Sequence, residues 1–436
     1  MINSLGKHVR NYLYILFVQC GNYIFPLITI PIVSRIFGPE LMGKYVLLTS
    51  IVSYFSLFVN YSFNYTGVRR LTRAFENKNE IFYTIFFTQF IIVFFISFVF
   101  LICLYYVPLL SENKLLSLVC FIGVFSCLGQ QNWIFQAYSD FKLITYISVL
   151  TKVFALIFIV LFIKVKQDIV LYAFIVQFSL FIGAFIGLVV SIFRYELKII
   201  LPKFVMCIQY LRDDFYVFIS SILSNLYTTT GVVILGLTTS TAEVGFYSSA
   251  QKIIDLMRNF SLLPLNMLIF PLLSTAFGKN KETALLYIRK LMPVFVLFCL
   301  LSVIFVALFG DYIILIFFGE QFSASALLLK ILSIGFVAVF FGVVIGGQVI
   351  LNLHYDRQFV IMQIVVAVIS LTFNFMILPY GGALTTAIIW SFSEVLMTIL
   401  QIAFLKNRGI DIFKFEYFRL SFLIKIVIQI ISKKCH

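Results

Sequence analysis

Tyr12-Leu13-Tyr14-Ile15-Leu16-Phe17-Val18 opens an apolar run that passes through Phe25-Pro26-Leu27-Ile28-Thr29-Ile30-Pro31 to Ser34-Arg35. Phe37-Gly38-Pro39-Glu40-Leu41-Met42-Gly43-Lys44 joins it to a second run, from Tyr45 to Gly67-Val68-Arg69-Arg70. Each run exceeds the roughly 20 residues a helix needs to cross a bilayer. Neither is cleanly apolar. Gln19, Asn22, Pro26, Thr29 and Pro31 interrupt the first, and Ser53, Ser56, Asn60 and Asn64 the second. A polar face on a membrane helix needs a neighbour other than lipid, because hydrocarbon offers no hydrogen bonds.

The same pattern recurs along the chain. Of its 436 residues, 62% are hydrophobic and only 11% charged, against roughly 25% charged in soluble domains. The fold class is therefore an all-α polytopic membrane protein. A membrane β-barrel is excluded, since its strands alternate apolar and polar residues. About twelve spans are expected, over 12–34, 45–68, 81–108, 115–138, 143–163, 169–193, 215–238, 253–277, 291–318, 326–352, 359–379 and 382–405. Spans three, six and nine are the most apolar and read as lipid-facing.

The net charge of +14 does not point to nucleic acid, because the cations lie between spans and form no single patch. Of the 32 Lys and Arg, 23 lie at the N-terminus, after even-numbered spans or in the tail. Five lie after odd-numbered spans. Positive residues stay inside, so both termini are expected to be cytoplasmic. The seven cysteines are scattered without a CxxC pair and read as small core hydrophobes. Lys7 and Arg10 lead into a span too long for a cleaved signal sequence. No cofactor or metal is expected. No loop is large enough to be a catalytic domain, so the chain is not read as an enzyme.

The halves look related. Gly43-Lys44-Tyr45 matches Gly245-Phe246-Tyr247, 202 positions on, and Asn64 meets Asn266 at the same offset. Two six-span halves begin on the same side, so the repeat is parallel, with its axis along the membrane normal. The expected organisation is an N-terminal six-helix bundle over 1–200, a second over 201–410, and a cytoplasmic or interfacial tail over 411–436. The tail carries the apolar run 420–431, too short to span.

Polar side chains concentrate on a few spans. Ser221, Ser224, Asn225 and Thr228 follow the i, i+3, i+4, i+7 spacing of one helical face. Lys252, Asp255, Arg258, Asn259 and Asn266 cluster on span eight. With the stripes of spans one and two, these imply a hydrated cavity between the two lobes. Its charge is mostly positive: Arg35, Arg69, Lys152, Lys252 and Arg258, with Lys330 beyond. A buried charge costs about 2.5–3.5 kcal/mol on insertion scales, and a bound anion such as pyrophosphate would justify several. Gln19, Asn22, Asn60, Asn64, Asn225 and Asn259 suit sugar hydroxyls. Asp255 and Glu394 are the acids placed for ion coupling. Plainer readings stand beside these. Asp255 with Lys252 or Arg258 makes a structural ion pair, Arg35, Arg69 and Lys330 snorkel to headgroups, and Glu394 is a carboxylic acid bonded to a neighbour.

The motifs Phe25-Pro26-Leu27-Ile28-Thr29-Ile30-Pro31, Ser34-Arg35-Ile36-Phe37-Gly38-Pro39 and Gly43-Lys44-Tyr45 resemble the opening of Wzx-type polysaccharide-repeat-unit flippases. Val244-Gly245-Phe246-Tyr247-Ser248-Ser249-Ala250-Gln251-Lys252 resembles their second-half motif, and Trp133-Ile134-Phe135-Gln136 fits span four. The resemblance covers essentially the whole chain. It departs where Asn60 replaces an acid and Ala137-Tyr138 replace Gly and Glu, which leaves Asp255 and Glu394 as coupling acids. It implies the multidrug/oligosaccharidyl-lipid/polysaccharide exporter fold in the bacterial inner membrane. It implies a lipid-linked oligosaccharide substrate carried on undecaprenyl pyrophosphate, for O-antigen, capsule or exopolysaccharide assembly, and a polysaccharide polymerase and chain-length protein as partners. The alternatives are an ion-coupled multidrug exporter of the same superfamily and a membrane polysaccharide polymerase. The polymerase would need a large outward loop with Arg or His, and His8, His354 and His436 all lie outside the spans.

Overall fold

The computed structural model describes residues 2–265 and 269–418, with side chains left undescribed at 2–20, 22–24, 224, 227, 228, 263, 264, 270–272, 274, 279 and 415. Gln19 and Asn22 as side chains, Asn266, and the apolar run 420–431 lie outside that description.

Every regular element among the described residues is helical. In chain order they are α1 (Ile2–Asn60), α2 (Phe63–Arg73), α3 (Lys78–Tyr106), α4 (Pro108–Ser111), α5 (Lys114–Gly129), α6 (Asn132–Ala137), α7 (Phe141–Phe162) and α8 (Ile169–Arg194). Then follow α9 (Phe204–Thr238), α10 (Thr241–Pro264), α11 (Phe270–Lys279), α12 (Lys281–Phe318), α13 (Ser325–Gly342) and α14 (Asp356–Asn407). Two of these are pairs of helices joined across a kink. Gly38 breaks α1 at φ 69°, and Gly382 breaks α14 at φ 58°. Glycine enters that left-handed region at no steric cost. The breaks fall where the expected spans one and two, and eleven and twelve, meet.

Among the described residues, eight stretches are long and apolar enough to cross a membrane. They overlap ten of the twelve expected spans, because the regions around Gly38 and Gly382 each meet two; of span one only residues 25–34 fall inside. The other two, 215–238 and 253–277, include residues outside the full description and carry the polar stripes. A multi-pass helical membrane protein follows from these helices. Their outward faces agree: α3 exposes Phe90, Phe94, Phe95 and Phe98, and α12 exposes Leu300, Leu301, Ile304 and Phe305.

The chain forms two compact units. The first holds the residues up to Asn225, Val232–Gly245 and Ile316–Gln321; the second holds Leu226–Gly231, Phe246–Leu315 and the residues from Phe322. In the first unit α5 packs on α8, and α1 lies against α5 and α7. Its core includes Phe37, Leu48, Val59, Phe100, Phe121 and Val124. Cys120 and Cys127 sit in this core as free thiols, filling space as small apolar groups. The second unit is built on α13 against α14, with Met292, Phe340, Val344, Ile345 and Leu405 at its centre.

The repeat leaves a physical signature inside the first unit. A Cβ placed on Gly43 would overlap the Thr241 carbonyl, and one placed on Gly245 would overlap the carbonyl of Pro39. Thr241 and Gly245 lie 202 positions beyond Pro39 and Gly43. The two contacts are therefore reciprocal, as a two-fold axis requires of a self-complementary interface. Glycine is needed at both places because main chain meets main chain.

Candidate functional site

Two clusters of charge sit on this scaffold, one in each unit. In the second unit α10 carries Asp255 and Arg258, one turn apart, with the Arg258 guanidinium 3.2 Å from Asp255 Oδ1. Both are about one-third exposed. Glu394, on the second limb of α14, lies within electrostatic reach of Arg258. Asp255 pairs with this guanidinium directly, and Glu394 approaches it from a different helix. Tyr247 is buried beside them and senses both acids. Glu394 also lines a small hollow with Gln363, Val366, Ser393 and Met397, so the carboxyl borders space as well as charge. Lys252 is exposed on α10 within reach of Asp255, and Asn259 is half-buried. The structure therefore brings together Asp255, Arg258, Glu394 and Lys252, which the sequence placed on two separate spans.

In the first unit the α1–α2 junction dominates. Tyr61 and Ser62 both have left-handed backbones, at φ 39° and 64°, a conformation that costs an L-residue about 1–2 kcal/mol. The junction frees α2 to turn away from α1. On α2, Arg70 points inward: its Nη1 lies 2.5 Å from Asp214 Oδ2, and its guanidinium stacks 3.9 Å above the Tyr210 ring. Thr66 Oγ1 donates to the same oxygen at 2.7 Å. Asp214 is fully buried. Arg69 is half-exposed, with its guanidinium 3.8 Å from the other oxygen of Asp214. The Trp133 ring packs against Gly67, where a Cβ would lie 2.8 Å away. Trp133 Nε1 in turn donates to Gln131 Oε1, which holds the indole at the start of α6.

The remaining first-unit residues are spread along its helices. Lys152 is half-buried midway along α7. Asn60 Nδ2 approaches Cys127 Sγ at 3.5 Å, and Asn64 is exposed. Asn225 is half-buried and donates back to the Ser221 carbonyl at 3.0 Å. Arg35 is exposed at the far end of the first limb of α1, where its Nη2 donates to the Ile316 carbonyl at 2.9 Å. That carbonyl belongs to the last turn of α12, where a cation is favoured. Lys330 pairs with Asp311 at 2.7 Å, which gives it an acid partner that the sequence did not suggest. Sequence alone gives Arg70, Thr66 and Ser62 no role, and Asp214 only a place among the acids at the start of span seven. Their signal was faint: Asp213-Asp214 opens span seven among mostly apolar neighbours, and Arg70 stands beside Arg69.

Each unit thus holds polar and charged groups on membrane-length helices. A solved structure described as the lipid II flippase MurJ in an inward closed conformation superposes with a TM-score of 0.72, at 14% identity, over 97% of this chain and 93% of that one. An inward-facing multidrug resistance MATE family transporter of the MOP superfamily superposes with a TM-score of 0.60, at 17% identity, over 91% and 94%. The fold class is thus the one these two membrane-transporter structures share.

Within that class the family is defined by sequence. Residues 8–277 match the family described as Polysaccharide biosynthesis protein, and the chain belongs to it. Relatives extend over more than nine-tenths of its length. A protein of Escherichia coli (strain K12) described as "Putative O-antigen transporter" is 25% identical over 92% of this chain and 97% of its own. One from Shigella dysenteriae with the same description is 21% identical over 91% and 100%.

Proposed function

We propose that the chain carries a lipid-linked oligosaccharide repeat unit, on undecaprenyl pyrophosphate, from the cytoplasmic to the outer leaflet of the bacterial inner membrane by alternating access. The reading is translocation, with no bond made or broken, and it feeds O-antigen, capsule or exopolysaccharide assembly. The full-length relatives described as O-antigen transporters and the flippase-like fold support the substrate class. The single observation that carries the chemistry is charge held on half-buried positions of long helices: Lys152 lies midway along α7 and Arg258 in the last third of α10. At about 2.5–3.5 kcal/mol each, such groups are retained for a task, and an anionic headgroup fits them. Arg35, Arg69 and Lys252 would add to the attraction, while Asn60, Asn64, Asn225 and Asn259 would meet sugar hydroxyls.

Asp255, paired with Arg258, and Glu394 near it are the groups proposed to couple transport to an ion. A chain-length protein and a polymerase would take the product on the outer side.

Complementation of a flippase-deficient strain tests this. Lys152→Gln and Arg258→Gln are each expected to abolish surface polysaccharide at normal membrane levels of protein. Undiminished polysaccharide with both variants would remove the cationic site. The likeness to a multidrug transporter keeps one second reading, an ion-coupled exporter of small molecules. Drug resistance conferred by the chain, with no restoration of polysaccharide, would favour it.

A further inference from the structure

Contacts between α1–α2 and α9–α10 run in a single register. Pro39 meets Gly245, Gly43 meets Thr241, and Leu47 meets Gly236. Further along, Phe58 and Tyr61 lie on Phe218, the latter stacked at 4.1 Å between centroids. Ser62 Oγ and Ser221 Oγ are 2.9 Å apart. Thr66 and Arg70 then reach Asp214, and Arg70 covers Tyr210. As one number rises the other falls by nearly the same amount, so this is one antiparallel seam from end to end.

The two ends of the seam differ in kind. At the end near Gly43 and Gly245, main chain packs on main chain and nothing can rotate aside. At the other end the contacts are hydroxyls, a ring stack and an ion pair, all presented by Tyr210, Asp214, Phe218 and Ser221. These four fall on one face of α9. Contacts of that sort exchange for water when two surfaces part. Arg70 has a second acid close by, since Asp213 Oδ2 is 3.7 Å from its Nη2 and half-exposed. The strained Tyr61–Ser62 junction lets α2, held on Trp133, act as a separate block. By the distribution of Lys and Arg, this is the cytoplasmic end.

We propose that this face of α9 is a cytoplasmic latch, with Asp214 as its bolt and positioning residue. It parts from α2 once in each transport cycle while the glycine contacts at 39–43 and 241–245 serve as the pivot. The latch rests on the alternating-access reading above. It adds which side chains must separate and about which contact they turn.

The test uses the full chain with its seven cysteines replaced, carrying Ser62→Cys and Ser221→Cys. A disulfide requires Cβ atoms about 3.5–4.5 Å apart, and hydroxyls 2.9 Å apart place these positions within reach. Mild oxidation is expected to join them, stop polysaccharide export and permit its return on reduction. Complete cross-linking with undiminished export would overturn the latch, and so would failure of the pair to cross-link. A second measurement needs no cargo. In inside-out vesicles, Asp214→Asn is expected to raise maleimide labelling of a single Ser221→Cys at least about fivefold, the low end of coupling energies. Unchanged labelling would overturn the latch while leaving the substrate assignment standing. Loss of export by Lys152→Gln with the labelling response intact would bear on the substrate alone.

Discussion

Arg69 and Arg70 are adjacent in the chain and opposite in situation. A helix turns 100° per residue, so α2 aims one at Asp214 and leaves the other half in solvent. The buried pair is expected to hold α2 on α9 whenever the latch is closed, while Arg69, half-exposed and only loosely paired with Asp214, is the one open to a ligand. Arg70→Ala strands the buried Asp214 carboxylate, and breaking a buried pair costs about 3–5 kcal/mol. Arg69→Ala removes a half-exposed guanidinium 3.8 Å away, worth about 0–1 kcal/mol. Thermal melts of the purified protein should therefore drop steeply for Arg70→Ala and little for Arg69→Ala. If Arg69 touches pyrophosphate, its variant should lose export while melting almost normally. Equal melting losses would mean the two are interchangeable. From sequence the pair read only as two cations at a span end. Their difference depends on an acid 144 positions away from Arg70, which no local pattern reveals. Glycines divide in the same way. Gly43→Ala drives a methyl into the Thr241 carbonyl, and overpacking a rigid contact costs about 1–3 kcal/mol. Gly278→Ala meets open space and should fall within about 0.5 kcal/mol of the parent. Melting both variants separates close approach from a dispensable glycine.

Among the elements, the long apolar helices were the readable part. Runs such as Ile91-Ile92-Val93-Phe94-Phe95 have no competing interpretation at this length. Breaks within helices were harder to see. Gly38 stands before a proline and marks its kink, yet the Tyr61–Ser62 break contains neither glycine nor proline, so nothing local announces it. Tertiary contacts hold it: the Tyr61 ring on Phe218 and the Ser62 hydroxyl on Ser221. The turn between α7 and α8 is another small device. Asp168 accepts from the backbone N–H of Lys164 at 2.8 Å and of Val165 at 2.9 Å. These donors favour the carboxylate and hold Asp168 below the usual range. A carboxyl with a lowered folded value adds stability above its unfolded value, and that contribution disappears as the pH falls through the folded one. Asp168→Asn resembles the protonated side chain. The melting difference between parent and Asp168→Asn should be greatest at neutral pH and vanish in acid. A difference that holds constant with pH would show that charge plays no part in the turn.

At the scale of the whole chain, the reciprocal contacts 39 to 245 and 43 to 241 bear on topology. An offset of 202 between Gly43-Lys44-Tyr45 and Gly245-Phe246-Tyr247 was visible in the sequence, but a short match in a chain with 53 Phe is weak alone. The structure adds what no alignment of the halves supplies: each copy of the motif lies on the other. A parallel repeat of six spans places corresponding loops of both halves on one side, whereas an inverted repeat would put them on opposite sides. Single cysteines at exposed positions decide between them. Glu76 and Lys281 follow the second span of each half, and Lys166 and Glu320 follow odd-numbered spans. With the cations of the even loops held inside, Lys166→Cys and Glu320→Cys should react with an impermeant maleimide in intact cells. Glu76→Cys and Lys281→Cys should react only once the membrane is opened. Should Lys166→Cys and Glu320→Cys label from opposite sides, the halves would be inverted, and a pivot at reciprocal glycine contacts would lose its symmetry.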